Sequence, residues 1–155
     1  QSREMLAMAR VNLERAGLDN GIVRLGDMYQ LPLADSCFDA VVVHQVLHYA
    51  DRPAAAISEA ARVLRPGGVL VLVDFAPHTL EFLREEHAHR RLGFADAEIG
   101  EWCRAAGLEP AAPRHLPGDP LTVVIWTAYR DAAGDRRYSA AAPEPAAFAE
   151  RVLQG

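Results

Sequence analysis

Two apolar runs, separated by a helical stretch, decide what this chain can build. Residues 39–44 read DAVVVH and residues 69–75 read VLVLVDF. Neither alternates polar with apolar residues, so each belongs to a strand covered on both faces, the habit of parallel sheets. Between them, residues 54–64 (AAAISEAARVL) carry a helical pattern, with Asp51 placed to cap it and Pro53 in its first turn. Pro66, Gly67 and Gly68 then stop that helix and turn the chain into the second run. Strand, helix, strand in this order predicts an α/β sheet.

The flanking segments extend the pattern. Ser2 is a good N-cap, Glu4 suits a first turn, and Met5, Leu6, Ala9, Leu13 and Ala16 recur at helical spacing before Gly17. Residues 22–25 are a short apolar run read as a strand, followed by a loop over 26–33. Helical patterns return over 80–92 and over 95–106, the second closed by Gly107. Residues 108–116 are strand-like but contain Pro110 and Pro113, which confines them to a sheet edge. After a turn at 117–120, residues 121–129 (LTVVIWTAY) are apolar on both faces and belong inside the sheet. The expected fold is a doubly wound α/β domain over residues 1–130, its sheet mostly parallel with an antiparallel C-terminal hairpin. From Asp131 onward Ala, Pro, Gly and charged residues dominate, so residues 131–155 are expected to be a flexible tail with one weak helical turn at 148–153.

Charge and composition exclude several functions. The net charge is −5, and Arg84, Arg90 and Arg91 are interleaved with Glu81, Glu85 and Glu86. That is a solvated helix face, and no direct nucleic-acid binding by this segment is expected. The longest apolar runs, 40–43 and 69–73, are too short to span a bilayer, and the chain opens on polar residues without a secretory pattern. A cytoplasmic location is expected. Cys37 and Cys103 form no ligand spacing. His78, His87 and His89 lie among glutamates, but no three ligands converge at a recognised spacing, so no metal is expected; these residues read as a solvated helix edge or the wall of an acceptor pocket. Trp102 and Trp126 read as core.

The segments SREMLAMAR, GDMYQLPLADSCFDAVVVHQVLHY and RVLRPGGVLVLVDF, in this order and spacing, resemble the class I S-adenosylmethionine-dependent methyltransferases, in the type-11, quinone-methyltransferase-like branch. The resemblance covers residues 2–130. It implies that Asp27 accepts from the exocyclic amine of the cofactor's adenine, while Met28 offers its backbone N–H and packs on the base. It implies that His44 and Gln45 present backbone carbonyls to the methionine part. His48 and Tyr49 would face the methyl group and the acceptor, orienting the nucleophile or taking its proton. Read without the resemblance, Asp27 braces its loop, Met28 fills core, and His48 and Tyr49 merely line a pocket.

The family's glycine-rich loop and its ribose-binding acid have no counterpart here, and the family pattern places that acid immediately before residues 1–6. The expectation is therefore an N-terminally truncated domain, supplying strands 3, 4, 5, 6 and 7 of the spatial order 3-2-1-4-5-7-6 and lacking the first two. The stretch DFAPHTLEFLREEHAHRRLGF, followed by LTVVIW, further resembles the methyltransferase half of two-part proteins with an ArsR-type winged helix upstream. The implied function of the complete protein is methyl transfer from S-adenosylmethionine to a small-molecule acceptor. The alternative is a module that senses the cofactor and its demethylated product for a winged-helix regulator, without turnover.

Overall fold

The computed structural model describes residues 3–132, so the tail expected at 131–155 lies almost wholly outside the described residues. The chain divides into two compact units, Gln1–Leu33 and Ala34–Gly155.

In the first unit, α1 (Arg3–Arg15) places Glu4 in its first turn and Arg15 in its last, each complementing the helix dipole. The chain leaves the helix through Gly17 at φ 63°, a backbone conformation that glycine adopts without strain. The apolar spacing that predicts this helix does not become a buried face: none of its residues is buried, and Met5 and Met8 are 68% and 62% exposed. The strand expected at residues 22–25 does not form, and Ile22 is 75% exposed. A strand exists through hydrogen bonds to a partner strand, and apolar character alone cannot supply one.

The second unit holds the sheet. β1 (Phe38–His44) leads through a 3₁₀ turn (Leu47–Tyr49) to α2 (Pro53–Val63) and β2 (Leu64–Phe75). Next come α3 (Phe82–His87), α4 (Asp96–Ala105), β3 (Leu108–Pro110), β4 (Arg114–Leu116) and β5 (Val123–Arg130). The spatial order is β1-β2-β5-β3, with β4 also paired to β5. β1 and β2 are parallel, whereas β5 runs antiparallel to β2, β3 and β4. This is the 4-5-7-6 part of the order that the resemblance implied. The edge hairpin is split where Pro113 has no N–H to give, and Ala111 N donates to Thr127 O at 2.8 Å across the gap.

Local chemistry moves several expected boundaries. β2 begins at Leu64, directly after α2, so Pro66, Gly67 and Gly68 lie inside the strand instead of ahead of it. The register jumps there, from Phe38 opposite Leu64 to Ala40 opposite Val69. Gly68 is required at that bulge: a Cβ would sit 2.9 Å from Arg65 O and 3.1 Å from Asp39 O. Asp51 was expected to cap α2, but Arg52 holds the N-cap position, and Asp51 forms an ion pair with Arg90 at 2.7 Å. The helix expected over 80–92 spans only Phe82–His87, ended by Ala88 in the left-handed region at φ 55°. Beyond it, Arg90 N and Arg91 N both donate to His48 O, bonds that a continuing helix would forbid. α4 matches its expected span closely, and Gly107 (φ 76°) follows it.

The core forms on both sides of β2. On one face Leu70 and Leu72 meet Ala128 and Trp126 of β5, and on the other Val71, Val73 and Ile125 cluster with Val69, Leu116 and Val123. Ile57 and Val63 of α2 and Ile99 and Cys103 of α4 are also buried. Trp126 is core as expected, its Nε1 donating to Asp96 Oδ1 at 2.8 Å, whereas Trp102 is half-buried, edge-on to Phe94. β1 departs from expectation, since Val42 is 47% exposed. Among the described residues it pairs on one side only, with β2. No described helix is long and apolar enough to cross a membrane. Among the described residues no group of three or more His, Cys, Asp or Glu is arranged to hold a metal ion.

Candidate active site

Because β1 and β2 are parallel neighbours, their carboxyl ends open on the same side, where ligands of open α/β sheets bind. β2 ends in Asp74-Phe75. Period-two alternation puts Asp74 on the face of Leu70 and Leu72, and it is 1% exposed. β1 ends at His44, which is exposed, and Gln45 turns the chain at φ 48° while its N–H donates to Val73 O at 2.8 Å. A non-glycine residue in the left-handed region at a strand's carboxyl end is a feature that clusters at functional sites. The 3₁₀ turn that follows brings His48 back over the end of β2.

There a buried carboxylate meets a buried imidazole. Asp74 Oδ1 bonds His48 Nδ1 at 2.8 Å and accepts from Phe75 N at 2.9 Å, while Oδ2 accepts from His48 N at 3.2 Å. With Nδ1 committed to the carboxylate as donor, Nε2 carries the lone pair for anything entering the site. His48 is 2% exposed and walled by rings: Tyr49 at 4.1 Å, a stacked His89 at 4.0 Å and Phe75 at 5.4 Å between centroids. His78 lies edge-on to Phe75 at 6.2 Å. Two buried ring nitrogens in this cluster have no hydrogen-bond partner, His78 Nε2 and His89 Nδ1. Burial, and secondarily the nearness of His48, holds both imidazoles below the ordinary histidine range. The arrangement sets the His48 ring against the Asp74 carboxylate through Nδ1.

His48 and Tyr49 thus stand together at this centre, and His44 and Gln45 stand at the end of the adjoining strand. Asp27 and Met28 belong to the first unit. Asp27 Oδ1 accepts from Tyr29 N at 3.0 Å, so the carboxylate does brace its own loop; a carboxylate has lone pairs left for a further donor. Met28 lines an open cleft of about 240 Å³ with Arg24, Leu25, Gly26, Leu31 and Pro32. Sequence reasoning missed Asp74. The available signal was an acid two positions beyond Leu72, on the buried side of an apolar strand, at its carboxyl end. His89 was placed on a helix but follows α3 and is buried in the ring cluster.

A family model for the methyltransferase domain matches residues 1–72. An uncharacterised methyltransferase of Mycobacterium tuberculosis is 40% identical over 120 residues, which is 74% of this chain and 44% of that protein. A malonyl-[acyl-carrier protein] O-methyltransferase of Dechloromonas aromatica is 37% identical over 89 residues, 54% of this chain and 34% of that one. A solved S-adenosylmethionine-dependent methyltransferase from Methanosarcina mazei superposes with a TM-score of 0.67 at 17% identity, over 84% of this chain and 79% of that one, and shows the shared fold. The chain belongs to the class I methyltransferases. It spans less than half the length of the curated relatives it matches. In this methyltransferase domain the Asp74–His48 pair sits at the carboxyl ends of β1 and β2, the side on which open α/β sheets bind ligands.

Proposed function

We propose that this chain serves methyl transfer from S-adenosylmethionine to a small-molecule acceptor, with His48, oriented by Asp74, as the base and Tyr49 shaping the acceptor's place. The Asp74–His48 hydrogen bond at 2.8 Å, within a wall of rings, carries the reading. A group used only to fill space needs no buried carboxylate behind it, and burying one is costly.

Each unit by itself carries groups that suit the cofactor. In the first unit the Met28 cleft is an apolar surface that suits a flat base, and Asp27 is an acceptor that suits an exocyclic amine. In the second unit His44 and Gln45 carry backbone carbonyl oxygens that suit an ammonium group. When bound, the cofactor supplies an electrophilic methyl group. The chain's own part is to align an acceptor nucleophile beside the ring cluster and to receive its proton at His48 Nε2, with Asp74 fixing the tautomer.

The test uses the full-length protein, methyl-labelled cofactor and a metabolite extract. Label is expected in a small molecule. His48→Gln is expected to lower transfer about 10²–10⁴-fold, the usual worth of a positioned base, and Tyr49→Phe to lower it less, with cofactor affinity unchanged in both. Absence of transfer, with cofactor and product binding tightly and differently, would make this a binding module instead.

A further inference from the structure

We infer that residues 79–90 are a hinged cover over the Asp74–His48 pair, latched by the His89 ring and released when that ring takes a proton. His48 is 2% exposed, so a molecule from solvent meets it only after something covering it has moved. Of the three rings nearest to it, Phe75 is fixed in β2 and Tyr49 is its own chain neighbour. His89 comes from a stretch that leaves the sheet after β2 and returns before α4. That stretch is pinned where its two ends meet. His78 N donates to Leu92 O at 3.0 Å, and Phe94 N donates to Phe75 O at 2.9 Å. Gly93, at φ 83°, lies so close to Ala76 that a Cβ there would stand 2.1 Å from the Ala76 carbonyl oxygen. Arg91, paired with Glu98 and set over the rings of Phe94 and Trp102, belongs to this fixed end.

Beyond the pins, little apolar packing holds the cover down. α3 has six residues, too few to be stable alone, and Leu83 is its one buried residue. The Arg90–Asp51 pair is exposed and worth little in water. Arg90 N donates to His48 O at 3.0 Å, and the rest of the hold is the His89 ring. Ala88 at φ 55° ends α3, and His89 after it is 8% exposed and stacked on His48 at 4.0 Å. Its Nδ1 is buried without a hydrogen-bond partner. A neutral ring tolerates that position. An imidazolium does not, because it carries an N–H and a charge where nothing accepts them. The titratable groups facing His89 are His48 in the 3₁₀ turn, Asp74 at the end of β2, His78 before α3 and His87 at the end of α3. The three histidines oppose its protonation and Asp74 favours it, but the Asp74 oxygens already face three N–H groups. Burial outweighs them all and keeps the ring neutral in place, so a protonated His89 is satisfied only in water. Reaching water takes the ring off His48 and pulls Arg90 N from the His48 carbonyl.

The experiment follows amide hydrogen exchange of the full-length protein by mass spectrometry at pH 7.5 and 5.5, each corrected for the intrinsic exchange rate. It needs neither methyl donor nor turnover, so its outcome is separate from that of methyl transfer. Protection over residues 83–90 is expected to fall about tenfold or more at the lower pH, as a local opening, while β5 keeps its protection. His89→Phe keeps a ring for the stack but cannot take a proton, and should hold the segment closed at both pH values. Gly93→Ala drives a Cβ into Ala76 O and should leave the segment open at both. Equal protection at the two pH values in the wild-type protein overturns the cover, and so does a loss that β5 shares, since that is unfolding of the whole sheet. A fall that persists undiminished in His89→Phe overturns the latch, and full protection in Gly93→Ala at pH 7.5 overturns the pinning at Ala76. Should His89→Phe fail to fold, the wild-type comparison of residues 83–90 with β5 still decides.

Discussion

β1 and β2 are written in nearly the same alphabet, yet they end up in different surroundings. VLVLVDF becomes a strand between two others, and Leu70 through Asp74 are each 7% exposed or less. DAVVVH becomes a strand with one partner among the described residues, and Val42 at its centre is 47% exposed. The difference is not in the residues, since valines dominate β1 and alternate with leucine in β2. It lies in how many neighbours the topology gives each strand. An unbroken β-branched run states that a strand can be buried on both faces, and the partners decide whether it is.

The comparison is broken most severely by removing bulk at matched central positions. Leu72→Ala in β2 opens a cavity opposite Trp126 and is expected to cost about 2–5 kcal/mol of folding stability. Val42→Ala in β1 is expected to cost less than about 1 kcal/mol, because its side chain already meets solvent. Denaturant titrations giving equal losses at both sites would show that β1 is covered in solution. A smaller contrast is expected between the acids of the two strands. Asp74→Ala strands the His48 donors in a buried site, at about 1–3 kcal/mol. Asp39→Ala removes an exposed pair with Arg65, worth about 0–1 kcal/mol. If Asp39→Ala proves the costlier, burial is the wrong measure of these two sites.

The same contrast explains what could be read from residues alone. Strand identity, the inserted antiparallel β5 and the proline-marked edge were legible, because each follows from a local rule about donors or faces. Residues 22–25 were not, since their apolar character matched a strand while the partner that makes one is a property of the fold. The start of β2 was misplaced by taking Pro66-Gly67-Gly68 as a boundary. Gly68 instead permits a bulge where Arg65 O would lie 2.9 Å from a Cβ, closer than a side chain tolerates. In the site, His48 and Tyr49 were visible through their place after β1. Asp74 is 26 residues from His48, and their meeting depends on the β1–β2 pairing, which no short motif encodes.

The smallest expected effect concerns protons on two histidines of the ring cluster, the buried His89 and the half-buried His78. His89 and His78 are held below the ordinary histidine pKa, first by desolvation and then by His48, with His87 adding to the effect on His89. Asp74 opposes the shift at both, as does Glu81 at His78, while Arg84 reinforces it there. In the unfolded chain these imidazoles return to about 6.5. As the pH falls through that value the unfolded state takes up protons before the folded state does, so stability is full above about 6.5 and declines as the pH drops toward the lowered folded values. Chemical denaturation between pH 7.5 and 5.5 should show this decline. The double variant His78→Gln with His89→Gln should flatten it, whatever its absolute stability. If the slope survives the double variant, the decline belongs to other groups, and the ring cluster around His48 does not exclude protons as its burial implies.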